Sequence, residues 1–147
     1  MNLEIFPKEG LGHIRFGMSS QDVARILGKA ERCIDDPDNI MRCYYPNRMN
    51  VFFKSNRLYL VGASLDAVGI TYKGIDIFKA DPLEVLRLFE RDCRPAFLCY
   101  DLIIFPSHSI GMGGFHEDYP EGKAITLEVP GAYDRHAANS EDITFLS

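Results

Sequence analysis

Apolar positions along this chain follow two different periods. Val23, Ile26 and Leu27 recur at helical spacing, and so do Val85, Leu88 and Phe89. Ser19 reads as the N-cap of the first stripe, with Asp22 three residues on as in a capping box and Gly28 placed to stop the helix. Asp81 caps the second, with Pro82 at the first helical position and Glu84 completing the box. Residues 3–6, 13–16, 41–45, 49–53, 57–65 and 123–129 instead alternate or form short aliphatic and aromatic runs, broken by Pro46-Asn47-Arg48 and Ser55-Asn56, and they predict strands. The acidic stretch 31–39 is either a ragged edge strand or a loop. The tail from Pro130 is polar until residues 143–146, which either add an edge strand or hang loose.

The same order of signals occurs twice. Gly12-His13-Ile14-Arg15-Phe16 leads into the first stripe and Gly74-Ile75-Asp76-Ile77-Phe78 into the second, with Arg25 and Arg87 at matching places. Tyr44-Tyr45-Pro46 then answers to Ile104-Phe105-Pro106, and 57–65 to 123–129. This pattern predicts an α+β fold of two tandem copies of a short helix followed by an antiparallel meander, the sheets side by side and the helices on one face. The chain of 147 residues is then one domain of two repeats, 10–66 and 72–129, with a C-terminal extension at 130–147.

Phe16-Gly17-Met18-Ser19, followed by Asp22-Val23 and Ile26-Leu27-Gly28, resembles the opening of a helix-then-sheet unit. That unit belongs to the small outer-membrane assembly lipoproteins and, in tandem, to the β-lactamase inhibitory proteins. The resemblance implies two units sharing one curved sheet, with helices on one face and the other face open to a protein partner. No lipid-anchor cysteine stands near Met1, so an anchored role is not implied.

Composition narrows the function further. A net charge of −5 without a Lys or Arg cluster opposes phosphate backbones, so no nucleic-acid partner is expected. There is no long apolar run for a membrane span and no basic, apolar leader pattern at the start, which leads to a cytoplasmic expectation. Cys33, Cys43, Cys93 and Cys99 lack metal or redox spacing and read as small buried thiols in a reducing compartment. No metal and no cofactor are expected.

Candidate chemistry is sparse. His108 and His116, the latter in His116-Glu117-Asp118, form the densest polar group, but neither sits at a helical ligand spacing; His13 and His136 read as surface residues. Gly111-Met112-Gly113-Gly114 precedes acids rather than a helix start, so the glycines mark a bulge or close backbone approach, not a phosphate cradle. No glycine-flanked elbow encloses Ser64, Ser107 or Cys99, and Asp66 and Asp101 have no paired acid.

Strand alternation sorts the first meander. Met41, Cys43, Tyr45, Met49, Val51, Phe53, Leu58 and Leu60 should face the helix, and Arg42, Tyr44, Asn50, Phe52, Arg57 and Tyr59 the other side. Aromatic residues mixed with arginine have the composition of a protein-binding hot spot, unless the second repeat folds over them as core. In the second repeat the matching outer residues are Leu102, Ile104, Thr126 and Glu128, apolar enough to call for a partner or a neighbouring chain, including a homodimer through the open sheets. The expected function is therefore a non-enzymatic protein-binding module of immunity or inhibitor type. It would use Arg42, Tyr44, Asn50, Phe52 and Tyr59. The alternative is a small-molecule binder or minor enzyme with a pocket at the repeat seam near His108 and His116.

Overall fold

The computed structural model describes residues 2–64, 67, 69–117 and 122–146. Its strands are β1 (Leu3–Phe6), β2 (Gly10–Leu11), β3 (Ile14–Arg15), β4 (Arg32–Asp36), β5 (Ile40–Tyr44), β6 (Met49–Lys54), β7 (Arg57–Ser64), β8 (Ile70–Tyr72), β9 (Ile75–Asp76), β10 (Ala96–Cys99), β11 (Leu102–Phe105), β12 (Ile110–Gly113), β13 (Ala124–Glu128) and β14 (Glu141–Ile143). Helices α1 (Ser20–Leu27), α2 (Pro82–Cys93) and α3 (Asp134–Ala137) are short, and a 3₁₀ turn spans Pro106–His108.

This is a β-dominated mixed fold, and it corrects the expected α+β class of two tandem helix–sheet units. Fourteen strands and three short helices make up the described residues, and the strands divide into two sheets of unequal kind. Nine strands run in the order β14-β10-β11-β12-β13-β7-β6-β5-β4, and five short ones in the order β3-β2-β1-β8-β9. The small sheet, whose β1 and β8 pair in parallel, has no place in the expected unit. The sequence pattern predicts two of its members, at 3–6 and 13–16, but not β2 or β8, because two- and three-residue strands are shorter than any window in which alternation can be counted. The third meander run ends at Ser64 in the structure, and Leu65 lies outside the described residues.

Both long helices are capped as the residues suggest. The Ser19 hydroxyl accepts from the Asp22 N–H, the Asp81 carboxylate from the Glu84 N–H, and Pro82 opens α2. An eight-residue helix is marginal alone, and α1 buries Val23 while Ile26 stays 37% exposed. Helix α2 is anchored more firmly, through Val85, Leu86, Phe89 and Cys93. Phe89 stacks on Tyr72 of β8 at 4.4 Å and approaches Phe105 of β11 at 6.2 Å, tying helix, small sheet and large sheet into one core. No helix among the described residues is long and apolar enough to cross a membrane.

The inner face of the large sheet carries Cys43, Met49, Val51, Phe53, Leu58, Val61 and Ala63 from its first half and Ile103, Phe105, Ile110, Met112, Ile125 and Leu127 from its second, all buried. Alternation places Cys43, Met49, Val51, Phe53 and Leu58 on this face, as observed, and Leu60 is the exception. The register between β6 and β7 shifts at Phe52/Phe53, so that Phe53 pairs with Leu58 and Phe52 with Leu60, leaving Tyr59 as the extra residue of a bulge. One inserted residue reverses parity, and Leu60 lands on the outer face.

The stretch 31–39 resolves as edge strand β4, and it overturns the reading of the cysteines as four thiols. Cys33 and Cys43 are directly opposed on β4 and β5 and are disulfide-bonded, while Cys93 and Cys99 are free. The tail also orders: β14 pairs with β10, and Glu90 accepts the Phe145 N–H at 2.6 Å and the Thr144 hydroxyl at 2.6 Å. Two outcomes test this architecture in denaturant unfolding. Phe53→Ala should cost about 3–5 kcal/mol, because it removes a fully buried ring. Opening the Cys33–Cys43 bond by double substitution with serine should cost about 2–3 kcal/mol, the chain-entropy value for a loop this short.

Candidate functional site

The outer face of the large sheet divides at the junction of β7 with β13. On β5 to β7 it presents Arg42 and Tyr44, Asn50 and Phe52, then Tyr59 and Leu60, all half-buried and none in the core. The residues foreseen as a docking face are thus on one surface, and four of them touch in series. Tyr44 meets Phe52 edge-on with centroids 6.5 Å apart, and Phe52 meets Tyr59 likewise at 6.3 Å. Such pairs add to stability beyond their buried area, and they hold the three rings against one another.

Arginines frame this row. Arg42, on β5, reaches across to β4: it donates through Nη1 to the Tyr44 hydroxyl at 2.9 Å and through Nη2 and Nε to the two carboxylate oxygens of Asp36. The hydrogen bond to Asp36 raises the Arg42 pKa, keeping the fork charged and oriented. Arg32 reaches over the Tyr44 ring at 5.2 Å. Burial, helped by the nearby Glu128 carboxylate, raises the Tyr59 phenol, which stays a neutral donor at physiological pH.

Asn50 has a separate role. Its side chain lies directly over Gly62, where any Cβ would collide with Asn50 Oδ1. Beside it a dip of about 420 Å³ opens between Tyr44, Arg48, Asn50, Gly62 and Thr126, at the place where the two halves of the sheet join. Arg32, Asp36 and Leu60 were absent from the sequence-derived set. Arg32 and Asp36 share a face at period two opposite Cys33, a signal that was present but hidden by the ambiguity of 31–39. Leu60 depended on the bulge.

The second half of this face is covered from within the chain. Ile104 is fully buried and Leu102, Thr126 and Glu128 are half-buried, in part because the segment after β13 returns across the strands. The Tyr133 ring lies on Gly111, whose Cβ would stand 2.7 Å from its hydroxyl. The apolar character of these positions therefore answers to Tyr133 of the same molecule. Burial raises the Glu128 carboxyl pKa, with Tyr133 and His136 pulling the other way, and it raises the Tyr133 phenol as well.

His108 and His116 do not build a common pocket. His108 ends the turn that precedes β12, with Nδ1 2.8 Å from the Ser107 hydroxyl, and His116 lies beyond the far end of that strand. A four-residue strand separates them by roughly 13 Å. Burial, with Lys8 nearby, lowers the His108 pKa. His116 is 3.6 Å from Glu117; Asp118, the third member of that group, and Asp66 lie outside the described residues. Among the described residues no group of three His, Cys, Asp or Glu side chains is placed to hold a metal. The remaining free thiol of the core, Cys93, is pushed up to about 11, chiefly by burial, and is therefore a poor nucleophile.

No family model matches the chain. No curated protein matches it in sequence. Among solved structures it is similar to a cysteine-rich secretory protein from Staphylococcus aureus subsp. aureus Mu50, with a TM-score of 0.58 at 13% identity. That superposition takes in 100% of this chain and 56% of the other, so the likeness concerns the fold and about half the length of the neighbour.

Glu128 offers a test of the electrostatics of this face. Its folded-state pKa is raised, so the unfolded chain ionises first as pH rises and the fold loses stability through that window. Glu128→Gln should raise the thermal midpoint at pH 7. The advantage should vanish below about pH 4, where the carboxyl is protonated in both states.

Proposed function

We propose that this chain is a non-enzymatic protein-binding module that docks a partner on the outer face of β5 to β7, in the manner of an inhibitor or immunity protein. The observation that carries this reading is the edge-to-face row Tyr44–Phe52–Tyr59, held on rigid strands and framed by Arg42 and Arg32. Tyrosine and arginine are enriched among interface hot spots: tyrosine buries a large area while losing few rotamers, and arginine adds a charged planar fork. The dip at Gly62 beside the row adds a recess for one partner side chain.

The Cys33–Cys43 bond bears on the compartment. A disulfide on an edge strand persists where thiols are oxidised, which favours a non-reducing compartment over the cytoplasmic expectation.

The test is comparative capture from native lysate by the parent chain and by the Tyr44→Ala/Phe52→Ala double variant. A species held by the parent should be lost by the variant, with affinity falling at least thirtyfold, the value of about 2 kcal/mol for a hot-spot loss. The thermal midpoint should fall by only a few degrees, since neither ring belongs to the core. Unfolding of the double variant would place these rings in the structural core and remove the proposal.

A further inference from the structure

The covered half of the outer face still contains a cavity of about 610 Å³, remote from the aromatic row on β5 to β7. Leu102 and Ile104 of β11 and Gly113 of β12 line its base, Tyr133 and His136 form one side, and the β10–β11 turn forms the lip. Gly113 leaves part of the base uncovered. Its backbone is extended, and a Cβ there would meet Leu102 Cδ1 at 3.6 Å, ordinary van der Waals contact. A side chain is therefore sterically permitted at this position, yet none is there.

The lip has an unusual composition. Tyr100, at its tip, is 95% exposed and holds φ at +55°, a left-handed conformation that bulky residues seldom adopt. Next to it, Asp101 has no ion-pair partner among the described residues, and Glu117 on the opposite rim faces only the imidazole of His116. No lysine or arginine is among the described residues that line the cavity. An apolar base beside the Tyr133 ring, rimmed by the exposed Tyr100 and by two carboxylates with imidazoles but no lysine or arginine beside them among the described residues, makes an open recess that favours positive charge.

From this we infer that the cavity binds a small organic cation, a primary or quaternary amine bearing an apolar or aromatic body. The volume lies within the range of small-molecule sites, well above that of a single ion. The body would rest on Leu102 and Ile104, and the ammonium group would lie between the carboxylates of Asp101 and Glu117 within reach of the tyrosine faces. An anion of the same shape meets uncompensated carboxylates and is rejected. A neutral analogue gains the apolar contact alone.

The full-length chain is titrated with phenethylammonium and benzyltrimethylammonium chloride, following backbone amide shifts by NMR, with 2-phenylethanol and phenylacetate as the neutral and anionic counterparts. The cations should shift the amides of Leu102, Gly113, Tyr133 and His136 with dissociation constants of about 1–10 mM, as expected of fragments this small. Both counterparts should bind at least tenfold more weakly. Gly113→Val should place a branched side chain on the cavity base and weaken the cation shifts. Asp101→Asn/Glu117→Gln, confined to exposed side chains, should leave the spectrum of the fold intact and erase the preference for cations. Equal binding of all four probes, cation binding undiminished by Gly113→Val, a charge preference that survives the amide variant, or no shift by about 50 mM would each overturn the assignment.

Discussion

The pairing of β7 with β13 is the interaction on which the rest of the molecule depends. Five residue pairs, from Ala124↔Ser64 to Glu128↔Leu60, join four strands on one side to five on the other. Without that seam each half would expose a long unpaired strand edge, with its unmatched N–H and C=O groups. With it, the side chains of both halves keep a common phase. Every inner position from β5 to β11 then points into a single core, where Phe89 of α2 touches both the large and the small sheet.

A common phase on the inside forces a common phase on the outside, and this gives the outer face its functional interest. Nine strands offer far more surface than α3 can cover. The chain covers part of it with Tyr133 over Gly111 and leaves the aromatic row on β5 to β7 half-exposed. Glycines at 62, 111 and 113 shape what remains: one lies under Asn50, one receives Tyr133, and one opens the cavity. The proposed docking row and the proposed ligand cavity lie on strands on opposite sides of the seam.

The two ends of the sheet are secured by different chemistry. At the β4 end the Cys33–Cys43 bond and the Arg42–Asp36 pair hold a short, charged strand against β5. At the other end β14 is held by pairing with β10 and by the buried Glu90 carboxylate, which accepts from Phe145 and Thr144. Charged residues on β4 also discourage further strands from adding there.

Local signals in the sequence determined what depends on neighbours a few residues apart: the caps Ser19 and Asp81, the turn at Pro46-Asn47-Arg48, and the period-two sorting that placed Arg42, Tyr44, Phe52 and Tyr59 on one face. Tertiary structure decided the rest. The overall class, the small sheet, the side occupied by Leu60, the bond between Cys33 and Cys43 and the return of Tyr133 over β12 all require partners far along the chain or a bulge that only cross-strand register reveals. His108 and His116, close in sequence, were separated by the strand between them. Alternation tells a residue which side of its own strand it is on; only pairing tells it what lies across from it, because hydrogen-bond register is a property of two strands at once.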